Sequence, residues 1–184
     1  MANEEQVKML LAGVEGWNKW RMKKPKVKID LSGADLRDAI LKSAYLWDVN
    51  LSGANLNGAD LRSAAFWRAN IEDANFTDTN LNSANFKGAN LSKTDFTRAS
   101  LRNSHLSEVD LTYSILIFVD FTNAYLGKAN LANAVFGGTD ITGVDLSYSK
   151  GLESVEHIAT SNIGVDTLRE SNGKIPIEFL KNYF

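Results

Sequence analysis

The sequence predicts an all-β solenoid, in which short extended segments wind around a shared apolar core. Every fifth residue from Leu31 to Leu146 is Leu, Phe or Ile, at 24 consecutive positions. The residue two places before each is small or branched, and 14 of these 24 are Ala. The period never slips between residues 29 and 150. One continuous repeat unit therefore occupies most of the chain.

Neither a regular helix nor a regular strand can hold this period. Five residues turn a helix by about 500°, and a strand changes side at every odd step. A turn in each repeat must therefore reset the phase. The residue just before the large apolar one is Asn or Asp in 16 of 24 repeats, and such side chains bond to nearby backbone in turns. Glycines mark several bends two residues after a large apolar residue, among them Gly33, Gly53, Gly58, Gly88 and Gly143.

The number of repeats per coil follows less directly from the sequence. Phe121 and Phe136 lie 15 residues apart, which favours three sides. Three other aromatic pairs lie 20 apart and favour four sides: Phe66 and Phe86, Phe76 and Phe96, and Trp47 and Trp67.

The repeats contain AlaAspLeu at 34–36 and 59–61, and AlaAsnLeu at 54–56, 89–91 and 129–131. This A(D/N)LxX pattern resembles the pentapeptide repeat family, in a bacterial, cyanobacterial type. The resemblance implies a right-handed quadrilateral β-helix with four repeats per coil and about six coils. One core ladder of that fold would consist of Leu36, Leu56, Phe76, Phe96, Leu116 and Phe136.

The two flanks are predicted to close the ends of the solenoid, because a solenoid exposes apolar interior there. In segment 1–28, residues 4–22 are predicted to form one amphipathic helix, with Asn3 and Gln6 as its capping box. Segment 151–184 loses the period and contains a helix over 177–183, after Pro176. An alternative for the first helix is a membrane-surface or calmodulin-target helix, based on Trp17, Trp20, Arg21, Lys23 and Lys24.

Composition and residue types give little support to catalysis or cofactor binding. The chain has no cysteine, which excludes disulfides, thiolate metal sites and a cysteine nucleophile. His105 and His157 have no obvious Ser or Asp partner, and the carboxylates follow the repeat rather than a metal-binding spacing. The sequence therefore predicts no enzyme, no cofactor and no metal site.

The charge pattern predicts no nucleic-acid or membrane partner. The formal net charge is only -2, so no strong field attracts polyanions. Lys42, Arg62 and Arg102 form a short basic column broken by Asn82, which is typical of a solvated face. Acidic Glu4 and Glu5 stand where a secretory signal carries positive charge, which predicts a cytoplasmic protein.

Two groups of outward apolar residues are candidate interaction patches. The first consists of Tyr45, Trp47, Trp67 and Arg68, and either binds a partner or is covered by the N-terminal helix. The second consists of Tyr113, Ile115, Ile117 and Phe118, joined by Val135 on the next coil. It is either covered by the C-terminal segment or used in a homodimer.

The predicted function is a non-enzymatic scaffold that binds a protein partner. The family resemblance implies an alternative, because some members imitate DNA, bind gyrase and protect it from quinolone antibiotics. Such mimicry needs dense negative charge. Residues 29–150 hold 14 acidic and 10 basic side chains, a net charge of -4, which argues against it.

Overall fold

The computed structural model describes residues 2–181 and 183, and over most of them the chain winds in coils of twenty residues. Parallel bridges join Asp35 to Asn55 and Asn55 to Asn75, and the same offset continues to the bridge between Asn130 and Lys150. Each coil therefore holds four five-residue repeats. The three-sided alternative suggested by Phe121 and Phe136 is wrong.

A tight turn ends every repeat. The amide of Ala34 donates to the carbonyl of Leu31 at 3.0 Å, and equivalent three-residue bonds recur along the solenoid. The third residue of this turn, Gly33, has a positive φ, and so does the equivalent residue at every corner up to Gly143. This combination is that of a type II turn, which requires a left-handed residue at its third position. The corner resets the phase, as the five-residue period requires.

The sides between corners are short and parallel. Strands β1 (Ile29–Asp30) and β2 (Val49–Asn50) pair with each other. Strands β3 (Ile115–Ile117), β4 (Val135–Gly137) and β5 (Glu156–His157) form a three-stranded sheet. Elsewhere, isolated bridges connect one coil to the next. The backbone polar groups are thereby satisfied between coils.

The large apolar side chains fill the interior. Leu36, Leu56, Phe76, Phe96, Leu116 and Phe136 are all buried in one column. Phe76 and Phe96 stack with ring centroids 5.3 Å apart, one coil from each other. On an outer face, the Asn50 amide donates to Asp30 and the Asn70 amide to Asn50, each at 3.2 Å, which starts a ladder of side-chain amides.

The N-terminal segment forms two helices, so the prediction of one helix over 4–22 is wrong. Helix α1 spans Glu4–Leu11 and α2 spans Val14–Lys23. Gly13 separates them with a φ of 140°, a conformation that side chains other than glycine rarely adopt. Asn3 accepts from the amide of Gln6 at 3.1 Å, as in a capping box. The Gln6 side chain instead donates to the carbonyl of Lys28 and accepts from the amide of Asp30, where the chain enters the first coil.

The C-terminal segment contains helices α3 (Val165–Glu170) and α4 (Ile177–Leu180). Helix α4 begins after Pro176, where the sequence places it, but ends before the predicted residue 183. Asn182, within that predicted helix, lies outside the described residues, as do Met1 and Phe184 of the two predicted end segments. In the described part of the chain, we find no helix with the length and apolar character to cross a membrane.

His157 lies in an aromatic cluster at the end of β5. Its ring centroid is 5.0 Å from that of Phe179, 5.3 Å from that of Tyr183 and 5.7 Å from that of Phe136. In the described part of the chain, neither ring nitrogen has a hydrogen-bond partner. Burial among these rings lowers the pKa of His157, because it disfavours the charged imidazolium.

Acidification is expected to loosen the C-terminal segment. The ordinary pKa of the His157 side chain is 6.5, and its pKa in the folded state is lower. Below about pH 6.5 the unfolded state therefore binds more protons than the folded state, and the folded state loses stability as the pH decreases. Amide protection factors of residues 156–162 should decrease between about pH 7.5 and about pH 5.5. The variant His157→Phe should remove this dependence. Equal protection of the wild type at both pH values would refute the expectation.

Candidate interaction surfaces

One side of a single coil carries only apolar outward residues. Strand β3 points Ile115 and Ile117 outward and Leu116 into the core. Tyr113 and Phe118 occupy the corners at its two ends and are 60% and 62% exposed. We call these four residues the apolar side. The sequence placed all four outward, and the structure brings them together on one surface.

The two aromatic corners have an unfavourable backbone conformation. Tyr113 has a φ of 58° and Phe118 a φ of 55°, in the left-handed region that costs a residue with a side chain roughly 1–2 kcal/mol. All other corners from Gly33 to Gly143 carry Gly or a polar or charged residue. Because most of each ring is exposed, intramolecular packing does not repay this conformation. Such an outlier points to a role outside the fold.

Small residues on the next coil extend the apolar side. Val135 pairs with Ile115, and Gly137 pairs with Ile117. A Cβ atom at Gly138 would lie 2.5 Å from the Phe118 ring, and one at Gly137 would lie 2.9 Å from Ile158. Because Gly137 and Gly138 have no side chain, the side chains of Ile158 and Phe118 can pack directly on their backbone. The sequence did not indicate Ile158, because the tail has lost the five-residue period.

The charges beside the apolar side are paired with the preceding coil. Lys93 contacts Glu72 at 2.7 Å. Arg98 donates two bonds to Asp78, at 2.6 and 2.7 Å. The C-terminal chain continues the stack as β5 beside β4, and Tyr113 and Phe118 remain exposed. It therefore does not fold back over the apolar side, which was one of the two alternatives from sequence.

The second aromatic group lies against helix α2. Trp47 and Trp67 stack with centroids 5.4 Å apart, and Tyr45 lies 4.8 Å from Trp47. The Arg68 guanidinium covers Trp67 at 4.7 Å and binds Asp48 through two hydrogen bonds. The Trp17 indole donates to the carbonyl of Tyr45 at 2.8 Å. Tyr45 and Trp47 of this group thus attach α2 to the solenoid.

Arg21 of helix α2 is buried and also attaches this helix to the solenoid. Its side chain is only 1% exposed, donates to the carbonyl of Trp47 at 2.7 Å and lies 4.8 Å from the Trp47 ring centroid. Burial lowers the pKa of Arg21, and the nearby Asp48 charge opposes that shift. Arg21 and Trp17 face the solenoid, so neither is available for the membrane-surface role considered from sequence.

His105 does have a serine partner, contrary to the expectation from sequence. Its Nε2 and the hydroxyl of Ser107 lie 2.7 Å apart, because residues two apart on an extended side face the same way. Within the described residues, Ser107 is the one side chain that bonds to the His105 ring. That part of the chain also gathers no set of three His, Asp or Glu side chains able to hold a metal ion.

The short basic column is largely neutralised. Arg62 binds Asp60 at 2.5 Å, and Arg102 binds Asp120 at 2.8 Å. Both guanidiniums are therefore engaged with carboxylates of the solenoid, which agrees with a solvated face rather than an anion site.

Comparison with known proteins identifies the repeat. The pentapeptide repeat model matches residues 29–68, 59–98, 89–126 and 120–150, with 8 copies. The chain belongs to the pentapeptide repeat family. Membership implies a right-handed quadrilateral β-helix, in agreement with the twenty-residue coils. A search of curated proteins found no match.

Solved pentapeptide repeat structures resemble the chain at low identity. HetL from Nostoc sp., involved in heterocyst differentiation regulation, is 25% identical, with 73% of this chain and 78% of HetL covered and a TM-score of 0.46. A thylakoid-lumen protein from Arabidopsis thaliana is 34% identical, with 50% and 64% covered and a TM-score of 0.29. QnrB1, a plasmid-mediated fluoroquinolone resistance protein, is 19% identical, with 76% and 70% covered and a TM-score of 0.33.

Proposed function

We propose that this pentapeptide repeat protein is a non-enzymatic interaction module that binds a protein partner through its apolar side. One observation carries the proposal: Tyr113 and Phe118 hold strained corner positions and yet remain mostly exposed. Aromatic anchors contribute strongly to protein interfaces, and a partner that buries both rings would repay their backbone cost. Ile115 and Ile117 supply the flat apolar surface between them.

The solenoid is proposed to act as a rigid support for this surface. In this proposal the coils over residues 29–150 form a right-handed quadrilateral β-helix of about six coils, and the described residues of segments 1–28 and 151–184 cover its ends. A rigid support lowers the entropy lost on binding, because the surface is already ordered. Neither cofactor nor metal is required for such a role.

The double variant Tyr113→Asn/Phe118→Asn tests the proposal. Asn adopts the left-handed conformation more readily than an aromatic residue, so stability should stay equal or rise by about 0.5–1 kcal/mol per corner. Partner binding should weaken at least about thirtyfold, the loss typical of two anchor residues. Site-specific photo-crosslinking at residue 115 in native lysate identifies the partner, and titration with that purified partner measures affinity.

Lys128→Asn is the matched control, because Lys128 also occupies a left-handed corner, with a φ of 62°, on another side of the solenoid. It should leave affinity unchanged. Unaltered affinity in the double variant would overturn the proposal. Sedimentation equilibrium separates the two classes of partner: a crosslink to the chain itself, with a dimer lost in the double variant, identifies a second copy as the occupant.

Imitation of DNA is the second candidate, and its electrostatic requirement is poorly met. Six carboxylates of the solenoid are paired with Arg or Lys side chains: Asp35, Asp48, Asp60, Glu72, Asp78 and Asp120. These pairs break the negative surface that mimicry of a phosphate backbone needs. Potent inhibition of gyrase supercoiling by the purified protein would favour this candidate over the first.

A further inference from the structure

Four lysines lie close together where α2 joins the first coil. Lys23, Lys24, Lys26 and Lys28 surround Pro25, and every residue from 22 to 28 is exposed. We call residues 22–28 the lysine segment. It precedes the first coil and lies at the opposite end of the solenoid from the apolar side. It therefore constitutes a separate surface.

Other cations of the solenoid are arranged differently. Six of them contact a carboxylate: Arg37, Arg62, Arg68, Lys93, Arg98 and Arg102. Four further solenoid lysines lie on separate coils and form no ion pair among the described residues: Lys42, Lys87, Lys128 and Lys150. Two of them, Lys128 and Lys150, line a depression that also contains Glu108 and Asp110. Among the described residues, the lysines of the lysine segment form no ion pair either. The segment thus places four lysines without an ion pair within six residues of the chain, and their mutual repulsion does not stabilise the fold.

Apolar groups accompany these charges. Met22 is 66% exposed and Val27 is 39% exposed. A shallow cavity of about 350 Å³ is lined by residues 23–27. A second, of about 370 Å³, is lined by Met22, Lys23 and Tyr45 with Asn18 and Lys19. The surface thus combines positive charge with two shallow depressions that could receive small apolar side chains.

We infer that the lysine segment binds an acidic protein segment that also carries apolar side chains. The carboxylates would pair with the lysines, and the apolar groups would occupy the two cavities beside Met22 and Val27. This surface goes beyond the function proposed for the apolar side and does not depend on it.

The surroundings favour a protein over the other polyanions. Binding of single-stranded nucleic acid uses exposed aromatic rings as stacking platforms, but Trp17 is buried and donates to the first coils. A membrane-surface helix inserts its aromatic face into lipid, and here Trp17 and Arg21 face the protein instead. The binding surface is also compact, which suits a short peptide segment.

Fluorescence anisotropy with a labelled peptide tests the inference on the full chain. The probe is a peptide of about twelve residues, mostly Glu with the remainder Leu and Phe, and a second peptide carries Gln in place of Glu. The wild type should bind the Glu peptide, with an affinity that falls as salt rises, and should not bind the Gln peptide. The variant Lys23→Gln/Lys24→Gln/Lys26→Gln/Lys28→Gln should lose at least about tenfold in affinity.

The matched control Lys42→Gln/Lys87→Gln/Lys128→Gln/Lys150→Gln removes the same charge from exposed positions. It should change affinity less than about threefold, and circular dichroism should show that both variants fold. Equal losses in the two variants, or no binding of the Glu peptide, would overturn the inference. Tighter binding to phosphatidylserine vesicles or to a single-stranded oligonucleotide would do so too, because it would assign the segment to a different polyanion.

Discussion

Replacement of Phe96 by Asp is expected to abolish folding of the solenoid. Phe96 is fully buried in a middle coil and stacks on Phe76 of the preceding coil. Loss of a buried Phe costs about 3–5 kcal/mol, and an unpaired carboxylate in the same place adds several more. Because domains are stable by only about 5–15 kcal/mol, the variant should show no cooperative unfolding transition by circular dichroism.

Asn103→Asp is the control for this substitution. Asn103 is an exposed corner residue with a φ of 55°, and Asp tolerates that conformation. The same negative charge placed there should change stability by no more than about 0.5 kcal/mol. A Phe96→Asp variant that still unfolds cooperatively near the wild-type midpoint would show that this column is not the core of the fold.

The second large effect is expected from Arg21→Ala. Truncation removes the bond to the carbonyl of Trp47, the contact with the Trp47 ring and the buried aliphatic stem. It leaves a cavity and a buried carbonyl without a donor, which together cost about 3 kcal/mol. Urea unfolding followed by tryptophan fluorescence should therefore show a lower midpoint, because Trp17, Trp47 and Trp67 all lie beside this contact.

Arg37→Ala provides the comparison for Arg21. Arg37 is exposed and pairs with Asp35 of its own repeat at 2.6 Å, and exposed pairs contribute little because water screens them. Its removal should leave the unfolding midpoint almost unchanged. If Arg21→Ala behaved like Arg37→Ala, helix α2 would contribute little to the stability of the first coils.

The coils could be predicted from sequence because every five-residue repeat carries the same pattern of residue types. A large apolar residue, a small one two places earlier and a turn at each corner leave the chain few other conformations. The division of the N-terminal segment was missed for the opposite reason. The apolar spacing of Val7, Leu10, Val14 and Trp17 runs through Gly13 as if one helix were present, so only the backbone of Gly13 shows the break.

The candidate surfaces could be predicted only in part. The period fixes which side chains point outward, so Tyr45, Trp47, Tyr113 and Phe118 could be placed on the surface. Which of them another segment covers depends on packing between distant parts of the chain. Burial of Arg21 under Trp47 follows from the angle at which α2 meets the solenoid, and this angle has no signature in the sequence.

The twenty-residue coil restricts how such a chain can change length. Duplication of one repeat would rotate everything after it by a quarter turn, and the apolar side would then face another direction than before relative to the lysine segment. Duplication of a full coil would keep both surfaces in the same orientation and only move them about 4.8 Å apart. The distance between two docked partners could thus be adjusted in steps of one coil without altering either surface.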